Sequence, residues 1–151
     1  MKLTDIISPE CVAVPLVAGN KLEAIERLVD LLADARKIAD RASVLKAVLD
    51  REQIRSTGIG YGLAVPHAKS PHCPKLVMCI GKPDAPIEFD APDRKPASMI
   101  VLLVSPLDQT GPHIQALARI SRLMLLEAFR AEVAETRTAE ELYQIIARYE
   151  A

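Results

Sequence analysis

Aromatic side chains are scarce in this 151-residue chain, which holds two Phe, three Tyr and no Trp. With so little ring area, the interior has to be built from Leu, Ile, Val, Ala and Met, as helices packed over aliphatic strands would supply. An excess of either charge is missing too. Nineteen basic against twenty acidic residues leave a formal charge of -1, and no Lys/Arg cluster stands out to neutralise a phosphate backbone. Nucleic acid is therefore not an expected partner. No run approaches the roughly eighteen uncharged apolar residues of a membrane span. Met1-Lys2-Leu3-Thr4-Asp5 also lacks a signal-like apolar stretch, so a cytoplasmic protein without membrane insertion is expected. Cys11, Cys73 and Cys79 are odd in number and lack a paired spacing, which argues against a disulfide framework and suits reduced thiols. Internal repeats and low-complexity tracts are absent, and the length suits one domain over residues 1–151.

What is present is a clear succession of helical and extended patterns. Asn20 and Glu23 have capping-box spacing ahead of Leu22, Ile25, Leu28, Val29 and Leu32, which predicts a helix over 21–36. Asp40 caps a second, with Val44, Leu45, Val48 and Leu49 on its apolar side and Asp50-Arg51-Glu52 at its end. Leu63-Ala64-Val65 reads as a short strand, and Leu76 to Ile80 and Met99 to Val104 as longer strands buried on both faces. The acidic, proline-bearing stretch Asp84 to Asp93 reads as a surface connection. Thr110 is expected to cap a helix starting Gly111-Pro112-His113, apolar nearly all round through Leu126. Thr138 and Glu141 repeat the capping box before a closing helix.

The most informative stretch runs from Ser56 to Lys69, where glycines and Pro66 deliver His67 on a stiffened turn. Glycine supplies backbone conformations other residues resist, and proline fixes one dihedral immediately before the imidazole. His67 is the leading reactive residue. His113 also follows a proline and falls in a predicted first helical turn, where the positive end of the helix dipole favours a neutral ring and a nearby phosphate. The hydroxyls of Ser56 and Thr57, with the amides of Gly58 to Gly60, are candidates to line an anion site. His72 is assigned to an exposed loop. A metal centre built from His67, His72, Cys73 and His113 would lack compact spacing such as HExxH or paired CxxC, so no metal is expected.

Taken together, Arg51 and Glu52, Ser56-Thr57-Gly58-Ile59-Gly60, Gly62-Leu63-Ala64-Val65-Pro66-His67 and Asp108 to Ala118 resemble enzyme IIA of the phosphoenolpyruvate phosphotransferase system. The match is to the fructose/mannitol type, which includes nitrogen-regulatory members, and it runs from the first helix to the last. The resemblance implies an α/β fold: a doubly wound sandwich with a central mixed β-sheet flanked by helices. It implies a phosphotransferase without cofactor, taking phosphate from an HPr-like phosphocarrier. The family's phosphoacceptor histidine falls on His67, with Nε2 implied as the acceptor atom, its active-site arginine on Arg51 and its second histidine on His113. A neutral imidazole is a nucleophile near neutral pH, and a guanidinium fork with a second donor can steady the equatorial oxygens of a transferring phosphoryl group. The chain start, Met1 to Ile7, and the lack of a fused IIB or IIC segment look more like the nitrogen-regulatory branch, whose members signal to regulatory target proteins. The alternatives are a sugar-transport component that passes phosphate to a IIB domain, and a regulator that works by docking alone.

Overall fold

The computed structural model describes residues 1–151. Two short 3₁₀ turns, Leu3–Asp5 and Pro9–Cys11, lead into β1 (Val12–Leu16), then α1 (Lys21–Asp34) and α2 (Arg41–Ile54). The glycine-rich stretch contributes three short strands, β2 (Gly58–Gly60), β3 (Leu63–Ala64) and β4 (His67–Lys69). Strands β5 (Val77–Pro83) and β6 (Met99–Ser105) precede α3 (Thr110–Leu125), α4 (Glu127–Glu135) and α5 (Ala139–Tyr149).

The six strands form one mixed sheet in the order β1-β5-β6-β3-β2, with β4 continuing beside β6. Strand β1 runs parallel to β5, β5 antiparallel to β6, and β6 parallel to both β3 and β4. Strand β6 shows why the layers close on either side. Ile100, Leu102 and Val104 face one cluster with Leu28, Val29, Leu32, Val44 and Val48 of α1 and α2. Met99, Val101 and Leu103 alternate onto the other face, against Ile120, Phe129, Val133, Leu142 and Ile146 of α3, α4 and α5. A strand covered on both faces reads as a continuous apolar run, and each large aliphatic side chain so buried contributes roughly 1.5–3 kcal/mol. The expected sandwich of helices around a mixed sheet is what is found.

Local signals act where they are expected to. Asn20 Oδ1 accepts from Glu23 N at 2.9 Å, Asp40 Oδ1 from Ser43 N at 3.1 Å and Thr138 Oγ1 from Glu141 N at 3.1 Å, so each caps its helix. Helix α1 stops at Asp34, two residues early, because Arg36 turns left-handed at φ 59° and Lys37 N returns to Leu32 O. Cys11, Cys73 and Cys79 are free thiols in the interior.

Several expectations are corrected. Thr110 does not cap α3: it is the first helical residue after Gln109, and its hydroxyl instead accepts from Lys69 Nζ at 2.5 Å. The helix buries only one face, through His113, Ala116, Ile120 and Met124, so the apolar side chains of Ile114, Leu125 and the C-cap Leu126 stand about half exposed. The chain turns extended at Leu126 (ψ 117°) and a separate helix, α4, begins at Glu127. The Asp84–Asp93 stretch is more than a surface connection, because Ile87, Phe89 and Ala91 are buried and Ile87 pairs with Ala97.

Candidate functional site

The three short strands exist because the backbone bends twice. Gly60, Tyr61 and Gly62 all have positive φ (107°, 57° and 78°), which reverses the chain between β2 and β3. A Cβ on Gly62 would lie 2.6 Å from Ser98 Oγ, so that position has neither the conformation nor the room for a side chain. After β3, Pro66 interrupts the ladder with its carbonyl accepting from Leu103 N at 3.0 Å, and β4 resumes with His67 opposite Leu103. The histidine therefore starts a strand rather than ending a free turn.

The His67 ring is half-buried, with Nδ1 2.8 Å from Val65 O. A carbonyl only accepts, so Nδ1 carries the proton in the neutral ring and the lone pair sits on Nε2. Burial pushes the His67 pKa below its ordinary 6.5, the Arg51 guanidinium acts in the same direction, and the Val65 carbonyl and Glu52 carboxylate oppose them. The ring is thus neutral at physiological pH.

His113 lies edge-on to His67, with ring centroids 5.3 Å apart and planes at 69°. It reaches that position from the first turn of α3, where His113 N makes the helix's opening bond to Gln109 O. Its Nδ1 is 2.7 Å from Ser105 Oγ at the end of β6. Burial first, then the neighbouring His67 and Lys69, lower its pKa from 6.5 to about 4. Two neutral imidazoles face one another.

Arg51 lies in the last turn of α2, and Nη1 donates to Arg55 O at 2.9 Å, closing the helix end. None of the seven ion pairs in the molecule includes Arg51, so its charge has no carboxylate partner. Arg51, His67 and Leu117 border two adjoining clefts. One, of about 620 Å³, is completed by Thr57, Gly58 and Asp90, the other by Lys69, Thr110 and His113. The structure thus gathers Arg51, His67 and His113 around common space. His72 is elsewhere, half-buried between Ser70 and Cys73. No group of three or more His, Cys, Asp or Glu side chains is placed to hold a metal ion.

Ser56 and Thr57 border the larger cleft, but their hydroxyls are committed inward. Thr57 Oγ1 donates to Glu52 Oε1 at 2.5 Å, Thr57 N donates to Glu52 Oε2 at 2.9 Å, and Ser56 Oγ donates to the Phe89 carbonyl. In this arrangement both hydroxyl protons are used within the protein, so what Ser56 and Thr57 turn toward the cleft is not a free hydroxyl donor. Glu52 emerges in their place: its side chain is only 6% exposed and also takes Lys21 Nζ at 3.0 Å. It pins the β2 approach to the end of α2, the helix that carries Arg51. The sequence marks Glu52 only as a neighbour of Arg51 in the motif, since a charge in a helical run carries no sign of burial. Ser105 was also missed, although a hydroxyl ending an otherwise apolar run is a signal that a buried partner exists.

The sequence family described as phosphoenolpyruvate-dependent sugar phosphotransferase system, EIIA 2, matches residues 5–149. A nitrogen regulatory protein of Bradyrhizobium diazoefficiens is 32% identical over 147 residues, covering 97% of this chain and 95% of that protein. A fructose-specific EIIA component of Haloferax volcanii is 33% identical over 150 residues, covering 97% of each. Among solved structures, nitrogen regulatory protein IIA-Ntr from Neisseria meningitidis superposes with a TM-score of 0.88 at 27% identity, over 95% of this chain and 98% of that one. The likeness extends from the first turn of the chain through α5, and on it the chain belongs to the EIIA 2 family of the phosphotransferase system.

Proposed function

We propose that this chain is a phosphohistidine carrier of the nitrogen-regulatory kind, taking a phosphoryl group on Nε2 of His67 from an HPr-like phosphocarrier. The observation that carries the reading is the tautomer of His67. Val65 O holds the ring proton on Nδ1, leaving the Nε2 lone pair without a protein partner beside an unpaired arginine and a second neutral imidazole.

In the transfer, the Nε2 lone pair attacks the phosphorus of the carrier's phosphohistidine. A new P–N bond forms on His67 as the carrier's P–N bond breaks, and that electron pair returns to the carrier's imidazole. Because the transition state is loose and spreads charge over three equatorial oxygens, positioning and cationic support supply most of the catalysis. Arg51 brings the planar charge for those oxygens, and His113 brings a neutral N–H donor from the positive end of α3. The reverse transfer passes the group onward. The regulatory branch is supported by the nitrogen regulatory proteins to which the chain is similar, with partners then being regulatory target proteins in the cytoplasm. The fructose-specific EIIA relative, at 33% identity, favours a second reading in which the recipient is a IIB domain.

Incubation with phosphoenolpyruvate, enzyme I and an HPr-type carrier, followed by intact mass measurement, tests the reading. One acid-labile phosphate per native chain and none on His67→Ala is expected. No phosphate on the native chain, with the carrier active on another acceptor, contradicts it. A IIB domain that drains the phosphate in a single fast turnover selects the second reading.

A further inference from the structure

Strand β6 reads Met-Ile-Val-Leu-Leu-Val-Ser, six apolar residues and then a serine that is wholly buried, at 0% exposure. A hydroxyl placed there without a partner would be destabilising, and one hydrogen bond satisfies it: Oγ to His113 Nδ1, at 2.7 Å. The backbone of Ser105 is occupied separately, its carbonyl accepting from Ser70 N at 2.9 Å. The other ring nitrogen, His113 Nε2, has no hydrogen bond within the protein. Since no buried side-chain nitrogen or oxygen lacks a partner, Nε2 keeps access to the cleft that His113 lines with His67 and Arg51.

We propose that Ser105 is a positioning residue for phosphoryl transfer: its hydroxyl donates to Nδ1 of His113 and so holds that ring's single proton on Nε2, facing the cleft. This rests on the carrier reading of His67. A neutral imidazole has one N–H and one lone pair, and a serine hydroxyl can serve either. Were Ser105 the acceptor, the bare lone pair of Nε2 would face an incoming phosphoryl oxygen and repel it. With Ser105 as the donor, Nε2–H meets that oxygen as a hydrogen-bond donor. The partner of one nitrogen sets what the other can do. The arrangement mirrors His67, where the backbone carbonyl of Val65 forces the proton onto Nδ1 and frees Nε2 as a lone pair. One ring is set as nucleophile and the other as donor, by partners of opposite hydrogen-bonding sense.

Two measurements test this. Long-range ¹H–¹⁵N spectra of histidine-labelled, unphosphorylated protein at neutral pH should show His113 protonated at Nε2 only, and Ser105→Ala should convert that signal to a tautomer mixture. Transfer from a phosphorylated HPr-type carrier should slow about tenfold in Ser105→Ala, the loss of one hydrogen bond, and stay within about twofold of native in Ser105→Thr. In a His113→Ala background, Ser105→Ala should add nothing. A native spectrum with His113 protonated at Nδ1 overturns the proposal, as does a Ser105→Ala protein that transfers at the native rate while His113→Ala is slow. Native protein that accepts no phosphate overturns the carrier reading and the positioning role with it. The spectrum, taken without phosphate, separates that failure from a wrong tautomer.

Discussion

The β3–β4 junction and the β6–α3 junction each present one imidazole to the same cleft, yet they fix it by different means. At the first, a backbone carbonyl, Val65 O, orients His67, and no single side-chain substitution removes that partner. At the second, a side-chain hydroxyl, Ser105 Oγ, orients His113, so the partner is replaceable. The tautomer of His67 is thus built into the course of the chain, whereas that of His113, on the positioning role proposed for Ser105, depends on one residue. Arg51 is intermediate: its charge is its own, but its helix end is held by Glu52 through the Thr57 loop.

Substitutions that strip the cleft of one group at a time break this comparison most sharply. Arg51→Ala should lower the rate of phosphoryl acceptance by about 10²–10³, the scale for losing a preorganised charge donor, with Arg51→Lys recovering only part because an ammonium lacks the planar fork. Single-turnover transfer from the phosphorylated carrier measures it. His113→Ala should slow the same step by about 10², while leaving the His67 Nδ1–H signal in place, because that proton is set by the backbone.

Glu52→Ala tests the loop rather than the chemistry. It leaves Thr57 N, Thr57 Oγ1 and Lys21 without their buried acceptor, and should cost about 3 kcal/mol of stability in urea unfolding. Glu52→Gln, which keeps an acceptor oxygen, should lose less.

The smallest effect is the pH response of His113. In the unfolded chain the ring takes its proton near 6.5, and in the folded protein near 4, so between those values the unfolded state binds more protons. Stability is complete above about 6.5 and falls as pH drops toward 4. By pH 5 the loss from this ring should be about 2 kcal/mol, read as the part of the acid-induced shift in urea midpoint that His113→Gln abolishes. His67 contributes in the same direction, since its folded pKa is also lowered, and that share should persist in the variant.

How far the site was legible in the sequence follows from what each residue's signal depends on. Helix starts at Asn20, Asp40 and Thr138 were readable because a capping side chain acts within three residues of itself. Strand β6 was readable because burial on both faces leaves an unbroken apolar run. Strand β1 went unnamed: its five residues include Pro15, and only pairing with β5 makes them a strand. The break between α3 and α4 carries no glycine or proline, and is stabilised instead by Arg130 reaching back to Met124 O at 2.6 Å. Arg51, His67 and His113 could be named from the motif alone, whereas the contacts around them could not: Val65 O on His67, Ser105 on His113, and Glu52 holding the Thr57 loop to the end of α2. Val65 O lies on the backbone, the burial of Glu52 is revealed only by the tertiary structure, and Ser105 is signalled only by its place at the end of an apolar run, which does not name its partner.

On the carrier reading proposed above, the Val65 carbonyl reserves Nε2 of His67 for the phosphoryl group. Combined ³¹P and ¹⁵N spectroscopy of protein phosphorylated through the carrier tests it most directly. One phosphoryl group is expected, bonded to Nε2 of His67, with the Nδ1 proton still on the ring. Phosphate found on Nδ1 of His67, or on His113, would contradict it.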